Sequence, residues 1–340
     1  MNKKDQIGIF GLNYENSLEN FYIKAFIKLK YKNIKFLDNK FYFYIFCVLK
    51  KIKNNFLYKI FYFLQKIKFK KFLSKNNIKT MIIFKGIELN ADIYKILKRK
   101  KIKLINIYTD DPFNFTSEAT SSNNVINNIK NFDVFCIWSK KLKKKLEKKF
   151  KNNDFFYLPF AYDEHRHLKI KKKIKKNKIS FIGSYDQFRF RTLNKLSKSI
   201  EIYGNDWPNF KKHRNHPFIK NKELSKIMAE SEISLNILKK QNFASHNMRT
   251  FEIPAMNGLM LTHRSGEQNT FFPENKACFM FEGISELNKK IDYILKNPKI
   301  ASRVRKKGYS LIKNHSYKKR LEKLISHIKK NEKLNNFRSL

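Results

Sequence analysis

Short apolar runs, each long enough for a single strand, alternate with segments of helical spacing along almost the whole chain. In the first half they fall at 7–10, 34–37, 80–84, 103–108, 133–138 and 155–159. Between them, residues such as Leu18, Phe21, Ala25 and Leu29 recur at the three- and four-residue steps of a helix. A strand apolar at nearly every position is buried on both faces, which predicts a parallel sheet covered by helices on each side. The second half repeats the pattern, with strands expected at 178–182, 199–203, 233–238, 259–262 and 277–281. Helices are expected at 246–257, with Pro254 as a kink, from an Asn221 cap, from Ser285, and from Asn297–Pro298. KIKKKIKKNK, at 169–178, has little capacity to form core and separates the halves. The chain therefore reads as α/β, with an N-terminal Rossmann-like domain over 1–168 and a C-terminal one over 177–340. The first carries an aromatic and basic helical insert at 41–75.

Hydrophobic residues make up 42% of the 340, a globular composition. The net charge of +46 by itself suggests nucleic acid or an anionic membrane. Abundant Lys, Asn, Ile, Phe and Tyr with few Gly and Pro also fit A/T-rich codons, so most lysines are read as solvated surface. Cys47, Cys136 and Cys278 lie far apart, which suits small core residues in a reduced cytoplasmic protein. The start MNKKDQIGIFGLNYENS has no leader pattern. The longest apolar run, 41–49, is too short to span a bilayer. Aromatic clusters alternating with lysines over 41–75 fit either a helix pair packed on the domain or an in-plane contact with an anionic membrane.

The segment NFASHNMRTFEIPAMNGLMLTHRSGE, 242–267, is richest in chemistry. Arg249 and Glu252 are three apart and share a helix face, as an intrahelical ion pair or as a cation for phosphate beside a carboxylate for ribose. Gly183-Ser184 ends a strand, where close backbone approach and free N–H groups at the next helix start favour phosphate. Arg189 and Arg191 follow that turn. Asp110-Asp111-Pro112 follows a strand, as turn chemistry or as an acceptor-side base. Gly11 and Asn13 end the first strand, and Ser265-Gly266-Glu267 is read as a polar loop near the donor. His165, His167, His213 and His216 lack a metal-binding context and read as surface or turn residues, so no metal site is assigned. There is no G-x-x-x-x-G-K-[ST] and no G-x-G-x-x-G.

Seven ordered pieces resemble the GT-B glycosyltransferases, in particular the CgeB-like, "glycosyl transferases group 1" branch. They are IGIFGLNYENS, IYTDDPFNF, LPFAYDEHRH, ISFIGSYDQFRFR, IEIYGNDW, NMRTFEIPAMNGLMLTHRSGE and LNKKIDYILKNP. The resemblance implies two Rossmann-like domains facing each other across a cleft. It places a sugar nucleotide on the C-terminal domain, at Gly183, Ser184, Arg189, Asn247, Arg249, Glu252, Gly266 and Glu267. The acceptor goes to the N-terminal domain at Gly11 and Asn13, with Asp110, Asp111 and Arg249 in catalysis. No cofactor is required. Retaining members carry two Glu with seven residues between them; the second matches Glu252, and the first position is Ala244 here.

The expected function is sugar transfer from a nucleotide-diphosphate donor to a hydroxyl of a glycan, lipid-linked saccharide or protein. The expected place is the cytoplasm, either free or peripheral on the inner face of the membrane. Two other readings stand beside it: a non-catalytic protein of the same fold, motivated by Ala244, and a basic nucleic-acid-binding protein, for which no compact motif is present.

Overall fold

The computed structural model describes residues 1–115 and 117–338. The chain forms two compact units, one of Met1–Pro159 with the last helix from Lys318 onward, the other of Phe160–Tyr317.

Unit 1 contains β1 (Gln6–Gly11), β2 (Ile34–Asp38), β3 (Ile78–Phe84), β4 (Lys103–Tyr108), β5 (Val134–Ile137) and β6 (Phe155–Tyr157). They form one sheet in the order β2-β1-β3-β4-β5-β6, and every pairing is parallel. Ile9, Ile82 and Ile105 align across the centre, each almost wholly buried. The helices are α1 (Leu18–Lys28), α2 (Lys40–Ile52), α3 (Asn55–Lys75), α4 (Ala91–Arg99), α5 (Asn123–Asn128) and α6 (Lys140–Lys149). Ser17 starts α1 by accepting a hydrogen bond from the Asn20 N–H at 3.3 Å. Its buried face then presents Phe21, Tyr22, Ala25 and Phe26.

Unit 2 contains β7 (Lys175–Ile182), β8 (Glu201–Tyr203), β9 (Arg214–His216), β10 (Ser231–Asn236), β11 (Met260–His263) and β12 (Phe279–Phe281). The order is β12-β11-β10-β7-β8-β9, again all parallel. Its helices are α7 (Gln187–Asn194), α8 (Asn221–Glu230), α9 (Arg249–Ala255), α10 (Gly266–Phe271), α11 (Gly283–Lys296) and α12 (Pro298–Leu311). Phe181, Ile202, Leu235, Leu261 and Phe279 join one core beneath α11, through Leu287, Ile291 and Ile294. Each such burial is worth about 1.5–3 kcal/mol.

Several boundaries differ from the sequence reading. The units meet at 159/160, before the basic 169–178 stretch, because residues 160–167 dock into unit 2. There the Phe160 N–H bonds His246 and the His167 ring reaches Glu252. The last helix, α13 (Tyr317–Arg338), returns to unit 1 instead of closing unit 2. His327 Nε2 lies 2.7 Å from Asp154 Oδ2, and Arg320 Nε donates to the Pro159 carbonyl at 3.2 Å. Asn221 is not a cap: it has φ +55° inside α8, and Lys220 precedes the helix. α11 begins at Gly283, not Ser285, and α9 is shorter than 246–257, with Pro254 in its last turn. Part of 263–267 belongs to β11 and α10, and β9 had no apolar signal because RNH is an edge strand. Among the described residues, no helix is long and apolar enough to cross a membrane.

Candidate functional site

In an open parallel sheet, ligands bind beyond the strand ends where neighbouring strands send their connections in opposite directions. In unit 2 this point lies between β7 and β10: β7 leads to β8 on one side, β10 to β11 on the other. Gly183 and Ser184 follow β7, and Ile237 follows β10.

Two arginines converge there. Arg189 is buried in α7; its Nε donates to the Ile237 carbonyl at 2.9 Å and its Nη1 to the Ser184 carbonyl at 3.2 Å. Arg249 opens α9; its Nε donates to the Ile182 carbonyl at 3.2 Å and its Nη1 to Glu252. Burial lowers the Arg189 pKa to about 10, Asp186 opposes, and the charge of Arg249 adds to the lowering. Two guanidiniums near enough to repel thus flank the ends of β7 and β10. Each keeps an Nη2 for which no partner occurs among the described residues.

Glu252 pairs with Arg249, and it is 4% exposed. Its Oε1 lies 3.4 Å from His167 Nε2. His167 Nδ1 accepts from the Asp163 N–H at 2.9 Å, so the ring hydrogen sits on Nε2 and points to Glu252. Burial pushes the Glu252 carboxyl up, but Arg249, His167 and Arg166 outweigh it and hold the group below the ordinary carboxylate range. Burial likewise lowers His167, despite Glu252. Reading His167 and His213 as surface residues is corrected here: both are buried, and His213 Nε2 is 2.7 Å from the Leu193 carbonyl, whereas His165 is exposed in a turn as expected. The sequence carried no signal for His167 beyond its place in LPFAYDEHRH. No group of three metal-capable side chains occurs among the described residues.

The phosphate reading of the α7 start also changes. Asp186 caps that helix, its Oδ1 accepting from the Phe188 and Arg189 N–H groups at 3.1 and 3.2 Å. The Gly183 N–H goes to the Tyr203 carbonyl. Gly183 is held close to the next strand: a Cβ on Gly204 would stand 2.2 Å from the Gly183 carbonyl oxygen. With these N–H groups taken, Arg189 is the cation beside this turn.

Other expected donor residues have internal partners. Asn247 and Asn236 exchange side-chain hydrogen bonds at 2.9 and 3.1 Å, and Asn247 also accepts from Thr250. Buried Glu267 accepts from Ser245 Oγ at 2.6 Å and from His246 Nδ1 at 3.1 Å. His246 Nε2 accepts from the Phe160 N–H, which fixes the proton on Nδ1. Gly266 is open: a Cβ there would meet nothing within 4 Å. Beside these residues lies a pocket of about 720 Å³ walled by Phe188, Phe243, Ala244, His263 and Phe281, with exposed Arg191 among its lining. His263 stacks on Phe243 at 4.9 Å; burial and Arg189 lower its pKa to about 4, so it is neutral at pH 7.

Unit 1 has its own switch point, between β1 and β3. A cavity of about 150 Å³ lies there, lined by Gly11, Glu19, Lys85, Glu88 and Thr109 among others. Gly11 is required: a Cβ would stand 2.6 Å from Glu19 Oε1. Glu19 accepts from the Leu12 N–H at 2.9 Å, and burial raises its pKa. Glu88 is 3% exposed; Asn39 donates to its Oε1, and its buried Oε2 has no partner among the described residues. Burial pushes its pKa to about 8, so it holds a proton at neutrality. Asp110 pairs with Lys85 at 2.5 Å, while Asp111 closes a turn by accepting from the Phe113 N–H at 2.9 Å. Asn13 is exposed in the loop after β1. Sequence reading missed Glu19 and Glu88; the lone acid inside the apolar KGIEL stretch was the available signal.

The sequence profile of a glycosyl transferase-like family matches residues 186–326, most of unit 2 and the start of α13. The two-sheet fold is that of the GT-B glycosyltransferases. The chain is similar to sucrose-phosphate synthase from Thermosynechococcus elongatus at TM-score 0.70 and 8% identity, covering 96% of this chain and 99% of that one. It is similar to T4 phage BGT, solved with its UDP-glucose substrate, at TM-score 0.58 and 15% identity, covering 93% and 96%. It is also similar to TarM at TM-score 0.60 and 12% identity over 76% of this chain, which spans 57% of the TarM chain. No curated protein matches by sequence.

Proposed function

We propose that the protein is a glycosyltransferase that takes its sugar from a nucleoside-diphosphate donor held by unit 2. The observation that carries this reading is the Arg189–Arg249 pair, whose guanidiniums converge on the carbonyls of Ile182, Ser184 and Ile237 at the ends of β7 and β10. A diphosphate suits that pair of cations. When the bond from the sugar to the diphosphate breaks, negative charge grows on the leaving oxygens, and the two Nη2 donors stabilise it. The guanidiniums carry this charge without a metal ion. Glu252 fixes Arg249, and its remaining lone pairs can accept from ribose hydroxyls. The aromatic pocket beside Ala244, with Gly266 open nearby, takes another part of the donor. Asn247 and Glu267 act as framework, holding the chain before α9 through Asn236, Ser245 and His246.

For the acceptor, the reading is a hydroxyl of a glycan, lipid-linked saccharide or protein. The unit 1 cavity suits a hydroxyl, since protonated Glu88 can donate and Glu19 can accept. Asp110 then serves through Lys85, orienting it toward the cavity. That T4 phage BGT was solved with UDP-glucose supports a sugar nucleotide as the donor class.

Ala244 favours a second reading, a protein that binds the nucleotide without transferring sugar. A thermal-shift screen against UDP, GDP, ADP, CMP and their sugar conjugates tests both, because a ligand of the native state raises the melting temperature with concentration. Stabilisation by one diphosphate, with slow release of free sugar from its conjugate, supports a transferase. Stabilisation without turnover in the presence of hydroxyl acceptors supports the second reading, and no stabilisation refutes both.

A further inference from the structure

The helical insert presents a surface that the donor site does not use. α3 buries Phe61, Gln65, Phe69 and Leu73, one residue per turn, against unit 1. At about 100° per residue, Phe56, Ile60, Phe63 and Ile67 fall on the opposite side. They are exposed, Phe56 to 68% and Phe63 to 63%. α2 repeats the arrangement: Phe46 and Leu49 are buried, while Phe41, Tyr44, Val48 and Ile52 are exposed. The two helices pack through rings, Tyr42 on Phe61 and Phe46 on both Tyr58 and Phe61. Most of the exposed large apolar side chains among the described residues lie between 41 and 67. An exposed apolar stripe of this size, opposite a buried one, marks an interaction surface.

Charge selects the cover. Exposed Lys51, Lys53 and Lys59 surround the turn between the helices, and Lys70 and Lys71 extend the far end of α3. No Asp or Glu occurs between Asp38 and Glu88. A second copy would bring the same lysines against each other. A nucleic acid would satisfy the lysines and leave the apolar stripes in water. An anionic lipid surface satisfies both, with rings and aliphatic side chains at the acyl boundary and ammonium groups among the headgroups. We propose that the α2–α3 hairpin seats unit 1 in the plane of an anionic bilayer. Neither helix crosses it, since neither is long and apolar enough.

Sedimentation with vesicles of phosphatidylcholine alone, or with 30% phosphatidylglycerol, tests the proposal on the full chain. Wild type is expected to bind the anionic vesicles at least tenfold more tightly than the neutral ones. Phe56→Ser/Ile60→Ser/Phe63→Ser is expected to lower that binding at least tenfold, with its melting temperature unchanged because all three side chains are exposed. Phe56→Trp is expected to be quenched by lipids brominated in the acyl chains. Equal binding by wild type and the triple variant, absence of quenching, or a wild-type dimer dispersed by the triple variant with no lipid binding would overturn it. So would loss of duplex DNA binding in that variant without any vesicle binding. These readouts use no nucleotide, so they fail or hold independently of the donor-site proposal.

Discussion

The two units place unlike chemistry at like positions. Each sheet reverses direction beside its first strand, between β1 and β3 in one and between β7 and β10 in the other. At the first point two carboxyls, Glu19 and Glu88, are buried and pushed toward their protonated forms. At the second, Arg189 is buried, Arg249 is half-buried and Glu252 is held ionised. The backbone supplies a crevice in both; under the proposed function the side chains decide whether it receives neutral hydroxyls or an anion. A net charge of +46 therefore says little about the site, since the decisive charges are a few buried groups.

The largest expected effect comes from removing the cation at the second point. Arg249→Ala should weaken diphosphate binding roughly 100-fold, in line with about 1.5–3 kcal/mol for a charged hydrogen bond. It also leaves Glu252 buried without its guanidinium, a loss of about 3–5 kcal/mol in folding stability by denaturant unfolding. Arg249→Lys should keep more stability than binding, because one ammonium cannot bond Ile182, Glu252 and a phosphate in a fixed fork.

Next in size is the framework. Glu267→Ala removes the acceptor of the Ser245 hydroxyl and leaves the His246 N–H with Ser245 Oγ alone, at roughly 1–3 kcal/mol for a buried donor left unpaired. Diphosphate affinity in the protein that remains folded should change less than in Arg249→Ala.

The acidic point should show in the pH dependence of stability. The Glu88 carboxyl is raised from 4.5 to about 8, so between those values the folded state holds a proton that the unfolded state has lost. Its contribution to stability is present below the unfolded value and is lost as pH rises toward 8. Glu88→Gln should flatten that slope. Glu252 acts with the opposite sign: its carboxyl is lowered, so its stabilisation is present above the unfolded value and is lost in acid as pH falls through the folded one. A stability–pH profile of wild type, Glu88→Gln and Glu252→Gln separates the two. The smallest effect is expected from Arg191→Ala, an exposed side chain, with stability within about 0.5 kcal/mol of wild type.

Apolar runs made the sheets legible. β1, β3, β4, β5 and the second half of β7 are buried, and their sequences announce it. β9 was not legible because an edge strand needs no apolar side chains. Arg249 and Glu252 were legible as neighbours because helical spacing puts them on one face. Their third partner, His167, comes from 85 residues earlier, and no periodicity links such positions. Asn247 and Glu267 were recognised as part of a site segment, but their roles depend on Asn236 and His246, which meet them only in the fold. The return of α13 to unit 1 rests on contacts such as His327 with Asp154, equally invisible to local pattern.

Calorimetric titration of the best-binding nucleoside diphosphate into wild type, Arg249→Ala and Glu88→Gln tests the contrast between the two points most directly. Tight binding to wild type, about 100-fold weaker binding to Arg249→Ala, and wild-type affinity in Glu88→Gln are expected. Undiminished binding to Arg249→Ala, or loss of binding in Glu88→Gln alone, would contradict the contrast.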